Sequence, residues 1–204
     1  MIAIIDYDAG NIASVLKAFE KIGAEVVLTR DPLVILEAEK IVLPGVGAFG
    51  DAMEKLKGYG LVGPIREAVA KNIPFLGICL GLQLIFESSE ESPGVEGIGL
   101  LKGKILRIPD TEGLKIPHIG WNDLSVREGS RLFEGVGEHP YVYFVHSYYL
   151  KAENAGDVAA TTEYGTLIHA AVESGNIFAT QFHPEKSGDV GLRILENFAA
   201  LKAL

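Results

Sequence analysis

The sequence predicts an α/β fold in which helices flank a mostly parallel central sheet and an antiparallel β insertion occupies the second half. Two observations point there. Over the first half of the 204 residues, short apolar runs alternate with helical patterns, and such alternation builds parallel sheets covered on both faces. In the second half, strand patterns follow one another with little helix between them, until an amphipathic helix closes the chain.

Each element has its own signal. Residues 2–5 read as a buried strand. Residues 11–21 follow with helical periodicity through Ile12, Val15, Leu16 and Phe19, and Gly23 stands where a helix stop belongs. A second strand is expected over 25–28, and Asp31-Pro32 reads as an N-cap with proline at the first helical position. Residues 41–43 form a third strand ending in Pro44-Gly45, residues 61–71 an amphipathic helix, residues 73–78 a fourth strand, and residues 80–87 a helix directly after it. Further strands are expected at 99–108, 124–126, 141–150, 158–162 and 167–173. Glu173-Ser174-Gly175-Asn176 reads as a hairpin turn into a strand over 177–182, and residues 189–201 as the closing helix. No linker, repeat or low-complexity segment intervenes, so one domain over residues 1–204 is expected.

Composition narrows the function. Hydrophobic residues are 48% and charged residues 22%, which suits a globular core. A formal net charge of −9 with no Lys/Arg run argues against a nucleic-acid partner, whose phosphates demand a basic stripe. The single cysteine, Cys79, cannot form an internal disulfide. The N-terminus lacks the basic lead of a secretory signal, and the longest mostly apolar run, residues 75–86, is too short for a membrane helix. A cytoplasmic location without membrane contact is therefore expected.

Gly77-Ile78-Cys79-Leu80-Gly81 sits at a strand-to-helix turn with the form of a nucleophile elbow. A nucleophile there rides on a sharp turn, the flanking glycines let backbones pass closely, and the helix that follows favours the reactive thiolate. A free cysteine can equally be a small buried apolar residue. A thiol nucleophile needs an imidazole and something to orient it. His183 ends an apolar strand, and Glu185 lies two residues on across Pro184, so both side chains fall on one side. A surface histidine beside an exposed ion pair is the competing reading. Two strand ends of one sheet converging on one cleft favour catalysis.

Residues 45–50 contain Gly-x-Gly-x-x-Gly, the dinucleotide fingerprint. It follows a proline and a third strand rather than opening the first strand–helix unit, and no acidic residue stands after the next strand. A bend of free backbone N–H groups for an oxyanion is the better reading, with Val46 and Leu80 as donors and Gly45 and Gly47 shaping the loop. A tight turn needing glycine for its geometry would look the same. Gln83, one turn into the elbow helix, is placed to bond an amino-acid ligand or simply to face solvent. Residues 141–149 form an aromatic strand whose alternation suits a sheet core. No histidine pair stands at helical ligand spacing, so no metal is expected.

The elbow Gly-Ile-Cys-Leu-Gly-Leu-Gln, the Pro-Gly-Val-Gly loop and the Phe-His-Pro-Glu strand end resemble the class I (triad) glutamine amidotransferases. Among these, residues 44–49, 118–122, 143–148 and 183–187 are similar to the glutaminase subunits of imidazole glycerol phosphate synthases. The resemblance runs from Asp6-Tyr7-Asp8-Ala9-Gly10-Asn11 to Ser187; Leu82 stands where methionine is usual. It implies a class I amidotransferase fold, no cofactor, and a triad of Cys79, His183 and Glu185 that releases ammonia from L-glutamine. Gln83 and the backbone of His146, Ser147 and Tyr148 would hold glutamine. Asn11, Trp121, Tyr143 and Lys186 would meet a (β/α)₈-barrel cyclase subunit in a heterodimer of histidine biosynthesis. A glutaminase of pyridoxal phosphate or anthranilate synthesis, or a non-catalytic regulatory domain of the same fold, is the alternative.

Overall fold

The computed structural model describes residues 1–202. The first half runs β1 (Ile2–Ile5), α1 (Ile12–Lys21), β2 (Val26–Thr29), α2 (Pro32–Glu37), β3 (Lys40–Leu43), α3 (Phe49–Gly58), α4 (Val62–Ala70), β4 (Phe75–Ile78) and α5 (Leu80–Leu84). The second runs β5 (Ser88–Ser89), β6 (Gly103–Arg107), β7 (His118–Asp123), β8 (Ser125–Val126), β9 (Tyr141–His146), β10 (Tyr148–Ala152), β11 (Val158–Glu163), β12 (Leu167–Ser174), β13 (Ile177–Thr180) and α6 (Gly188–Ala200). An eight-stranded sheet has the order β2-β1-β3-β4-β13-β12-β11-β8. Its strands from β2 to β13 are parallel, and the rest are antiparallel. The antiparallel half thus partly extends the main sheet, while β10-β6-β5 and β7-β9 form separate small sheets.

Strand alternation sorts the apolar side chains to two cores. Ile2, Ile4, Val42, Leu76, Ile78 and Phe178 face α1 and α6 through Val15, Phe19, Ile194 and Phe198. Ala3, Ile5, Ile41, Leu43 and Phe75 face α2, α3 and α4 through Ile35, Met53, Leu56 and Ile65. Local caps match the sequence. Asp31 accepts from Leu33 N–H at 2.9 Å, and Gly23, at φ 77°, closes α1 with Gly23 N–H on Glu20 C=O and Ala24 N–H on Phe19 C=O.

Several boundaries differ from the expected ones. The helix expected over 80–87 ends at Leu84, and the 97–101 segment takes the carbonyls of Leu84, Ile85, Phe86 and Glu87, which are then closed to any further helical turn. The same bonds leave only Gly103–Arg107 of the 99–108 strand. The fourth strand starts at Phe75, since Ile73 N–H is spent on Ala68 C=O at the end of α4. The 141–150 strand breaks at Ser147: β9 pairs with β7 and β10 with β6, in different sheets. Helix α3 and strand β7 were not anticipated. The start of α3 has no cap of its own: Phe49 N–H donates to Glu91 Oε2 (2.8 Å) and Gly50 N–H to Ser92 Oγ (3.0 Å). Among the described residues, no helix is long and apolar enough to cross a membrane.

Candidate active site

Strands β3, β4 and β13 are parallel neighbours, and their C-terminal ends bring three distant segments to one place. Cys79 follows β4 directly, at φ 54° and ψ −106°, a strained conformation for a residue with a Cβ. Its N–H donates to Thr180 C=O at 2.7 Å, which ties the turn to β13. The elbow glycines serve close approach. A Cβ on Gly81 would strike the backbone oxygen of Leu43, and one on Gly77 would lie 2.8 Å from the Gly81 carbonyl.

His183 lies just beyond β13, with its side chain 1% exposed, and its Nδ1 is 2.7 Å from Glu185 Oε1. Glu185 sits in a 3-10 turn, Pro184–Lys186, with its side chain fully buried. Ser187 locks this turn: its hydroxyl donates to His183 C=O (2.6 Å) and accepts from Tyr143 N–H (3.0 Å). His183 Nε2 has no hydrogen-bond partner and shares a cleft of about 360 Å³ with Cys79. Burial alone would lower the His183 pKa, but the Cys79 sulfur and the Glu185 carboxylate outweigh it and raise it to about 9. At neutral pH the ring is therefore cationic, held between a sulfur and a carboxylate. That constellation fits thiol nucleophilic attack followed by proton donation to a leaving group.

A family model described as glutamine amidotransferase class-I matches residues 3–201. The chain belongs to the class I glutamine amidotransferases. It is 54% identical to the imidazole glycerol phosphate synthase subunit HisH of Methanothermobacter thermautotrophicus, over 98% of both chains. It is 53% identical to the Geobacter metallireducens subunit of that name over 99% of each, and 50% identical to that of Sulfurimonas denitrificans over 100% of each. All three of these full-length relatives carry the name HisH. A solved structure titled as a glutamine amidotransferase superposes with a TM-score of 0.76 at 21% identity, covering 98% of this chain and 100% of that one, which supports the fold.

In this amidotransferase the cleft lining includes Val46, Gly47, Cys79, Leu80, Gln83, His146, Ser147, Tyr148 and His183, which were anticipated from sequence, and Glu91, Pro117 and Val145, which were not. Gly45 lies beneath the lining, against the Tyr7 hydroxyl and Leu80. Leu80 N–H is not a free donor: it bonds Gly45 C=O at 3.2 Å. Gln83 is 5% exposed rather than solvent-facing, and donates to Tyr148 C=O at 3.1 Å. Of the four expected interface residues, Trp121 is 56% exposed and opposite Tyr143 in register, and Lys186 is exposed. Asn11 is half-buried instead, donating to Glu185 Oε1 at 2.6 Å.

Sequence reasoning missed four polar residues. Glu91 reaches the cleft from a loop after β5. Tyr7 donates to Pro44 C=O at 2.8 Å and supports the glycine loop; burial, then the Cys79 charge, push its pKa up. Gln181, fully buried, lies beside the Cys79 sulfur. His118 pairs with His146 (Nδ1 to Nε2, 3.0 Å) between the rings of Phe144 and Tyr164. Gln181 had a geometric signal, standing two residues before His183 on one strand face, and Tyr7 and His118 lay within the stretches that carry the resemblance.

The histidine pair sets an acid limit. Tyr148 C=O can only accept, so His146 Nδ1 donates to it (2.9 Å), leaving Nε2 to accept from His118 Nδ1–H. Burial lowers the pKa of His118 to about 4, and burial first and nearby imidazoles next lower that of His146 to about 3. Both rings are neutral in the fold but take up protons near 6.5 when unfolded. Their contribution to stability is thus present above pH 6.5 and lost as pH falls, toward about 4 for His118 and about 3 for His146. Urea unfolding should show this decline, and His118→Gln, which keeps a donor but does not titrate, should flatten it.

Proposed function

We propose that this chain is the glutaminase of a two-subunit imidazole glycerol phosphate synthase, folded as one catalytic domain over residues 1–204. The observation that carries the reading is Cys79 on a strained elbow, sharing a cleft with a cationic His183 that Glu185 orients at 2.7 Å. In this reading the Cys79 thiolate attacks the carboxamide carbon of L-glutamine. His183 gives its proton to the nitrogen, the C–N bond breaks, and ammonia leaves. Water, deprotonated by His183, then cleaves the glutamyl thioester to glutamate and restores the thiolate.

The Val46 and Leu80 amides hold the oxyanion in this scheme. Because Gly45 C=O occupies Leu80 N–H, that donor comes free only when the Gly45–Val46 peptide turns. That peptide turns about the Gly45 Cα–C and Val46 N–Cα bonds, and Gly45 carries no Cβ. The resting cleft is therefore poorly prepared, which favours low activity without a partner. Glutamine is held by Gln83, by the backbone of His146, Ser147 and Tyr148, and by Glu91, whose carboxylate suits the α-ammonium group. Asn11, Trp121, Tyr143 and Lys186 form the docking surface for a (β/α)₈-barrel cyclase subunit. Ammonia is mostly protonated in neutral water, so it passes under that cover to the phosphoribulosyl formimino substrate of the cyclase. Imidazole glycerol phosphate and aminoimidazole carboxamide ribonucleotide then leave the cyclase, in histidine biosynthesis.

The test is to titrate the chain with the cyclase subunit and follow glutamate release. The reading expects hydrolysis to rise steeply to a plateau at one-to-one stoichiometry. Hydrolysis unaffected by the cyclase would sink the assignment to this synthase.

A further inference from the structure

We propose that Gln181 is a further catalytic residue, whose side-chain N–H donates to the Cys79 sulfur and stabilises the attacking thiolate. The inference rests on the reading of Cys79 as nucleophile. A sulfur anion at a site 7% exposed needs donors, because an unpaired buried charge is costly. His183 shares the cleft and brings positive charge, but its Nε2 makes no hydrogen bond to the sulfur. The neighbour in register supplies a donor: Ile78 faces Thr180, so the next residues, Cys79 and Gln181, come together, with Gln181 Nε2 3.8 Å from Sγ.

The amide orientation is fixed by a backbone group. Tyr148 C=O can only accept, so the terminal atom of Gln83 that bonds it at 3.1 Å is the NH₂ group. That same NH₂ lies 3.0 Å from Gln181, which must present its oxygen there. The remaining terminal atom of Gln181, aimed at the sulfur, is then a donor. Its main chain is anchored on both sides: Gln181 N–H bonds Ala170 C=O at 2.8 Å, and the Thr180 hydroxyl bonds Phe182 C=O at 3.1 Å. Gln181 is fully buried, so the amide is spent on Gln83 and the sulfur rather than on solvent. One side chain therefore ties the residue proposed to hold glutamine to the residue proposed to attack it.

Cys79 is the sole cysteine of the sequence, so thiol alkylation reports on this site alone. Gln181→Glu keeps the shape and the acceptor for Gln83 but sets a carboxylate against the sulfur; Gln181→Met removes both polar contacts. Iodoacetamide labelling of the full chain is measured across pH, beside labelling by a glutamine chloroketone. For Gln181→Glu, labelling near neutral pH should fall by about tenfold or more and its pH profile should move to higher pH, as loss of a hydrogen bond to a charged group implies. With the cyclase bound, kcat should fall more than KM rises. Gln181→Met should show the same slowing plus a larger rise in KM, and it carries the test should the glutamate variant not fold. Wild-type labelling rates in a folded variant at every pH would overturn the role of Gln181 and leave the nucleophile standing. A wild-type chain that the chloroketone does not label would overturn both.

Discussion

Replacing Cys79 with alanine should lower glutamine hydrolysis by the cyclase-bound chain by a factor on the order of 10⁴ or more, as loss of a triad nucleophile does elsewhere. The size follows from the division of labour in the cleft. In the proposed mechanism His183 and Glu185 act on a proton, and the loop amides act on an oxyanion; without the sulfur there is no tetrahedral intermediate for either to act on. The fold should tolerate the change, because Cys79 is held by its N–H on Thr180 and by its position after β4, not by its thiol. Alanine keeps the Cβ, the N–H bond to Thr180 C=O and the bond that Cys79 C=O accepts from Leu82 N–H. Ammonia supplied in solution should still support the cyclase reaction in the same complex, which separates a chemical defect from a failure to dock.

Gly81→Ala should damage both stability and activity. The added methyl would overlap the Leu43 carbonyl oxygen, a backbone atom at the end of β3 that cannot swing aside as a side chain would. Either the elbow or the Pro44-Gly45-Val46-Gly47 loop must shift, and both contribute to the cleft lining. A cost of about 3 kcal/mol or more is expected for such a clash, or roughly 10 °C in melting temperature for a chain of this length. Gly58→Ala is the control. It lies at the end of α3 with nothing within 4 Å of a new Cβ, so the same chemical change should leave stability unchanged or slightly raised. Paired thermal melts and hydrolysis rates distinguish overlap at the elbow from a general aversion to losing glycine.

Where order was dictated locally, the sequence was readable. The apolar runs of β1, β3, β4 and β13, the Asp31-Pro32 cap, the Gly23 stop and the Gly175-Asn176 hairpin each carry their cause within a few residues, and each lies within a residue or two of its expected place. The cleft lining was legible for a related reason: a parallel sheet gathers its strand ends, so motifs after β3, β4 and β13 had to meet. What escaped was set at long range. Helix α3 borrows its cap from Glu91 and Ser92, 42 residues away, so its start looked like more of the glycine loop. Strand β7 exists because β9 lies opposite it, and its cluster of His118, Gly120 and Trp121 has no alternating pattern of its own. Leu80 looked like a free donor, because nothing in a one-dimensional pattern shows which way the Gly45 carbonyl turns. Gln181 was passed over as one more strand residue, although the spacing that singled out Glu185 from His183 applies to it in the other direction.

In the proposed mechanism a covalent bond forms between the Cys79 sulfur and the substrate. The wild-type complex, quenched in acid while turning over glutamine, should yield a hydroxylamine-labile glutamyl adduct on the one peptide that contains Cys79. The Cys79→Ala complex, treated in the same way, should yield none. A wild-type enzyme that hydrolyses glutamine at full rate with no adduct on that peptide, or with one on another residue, would show that the sulfur is not the nucleophile.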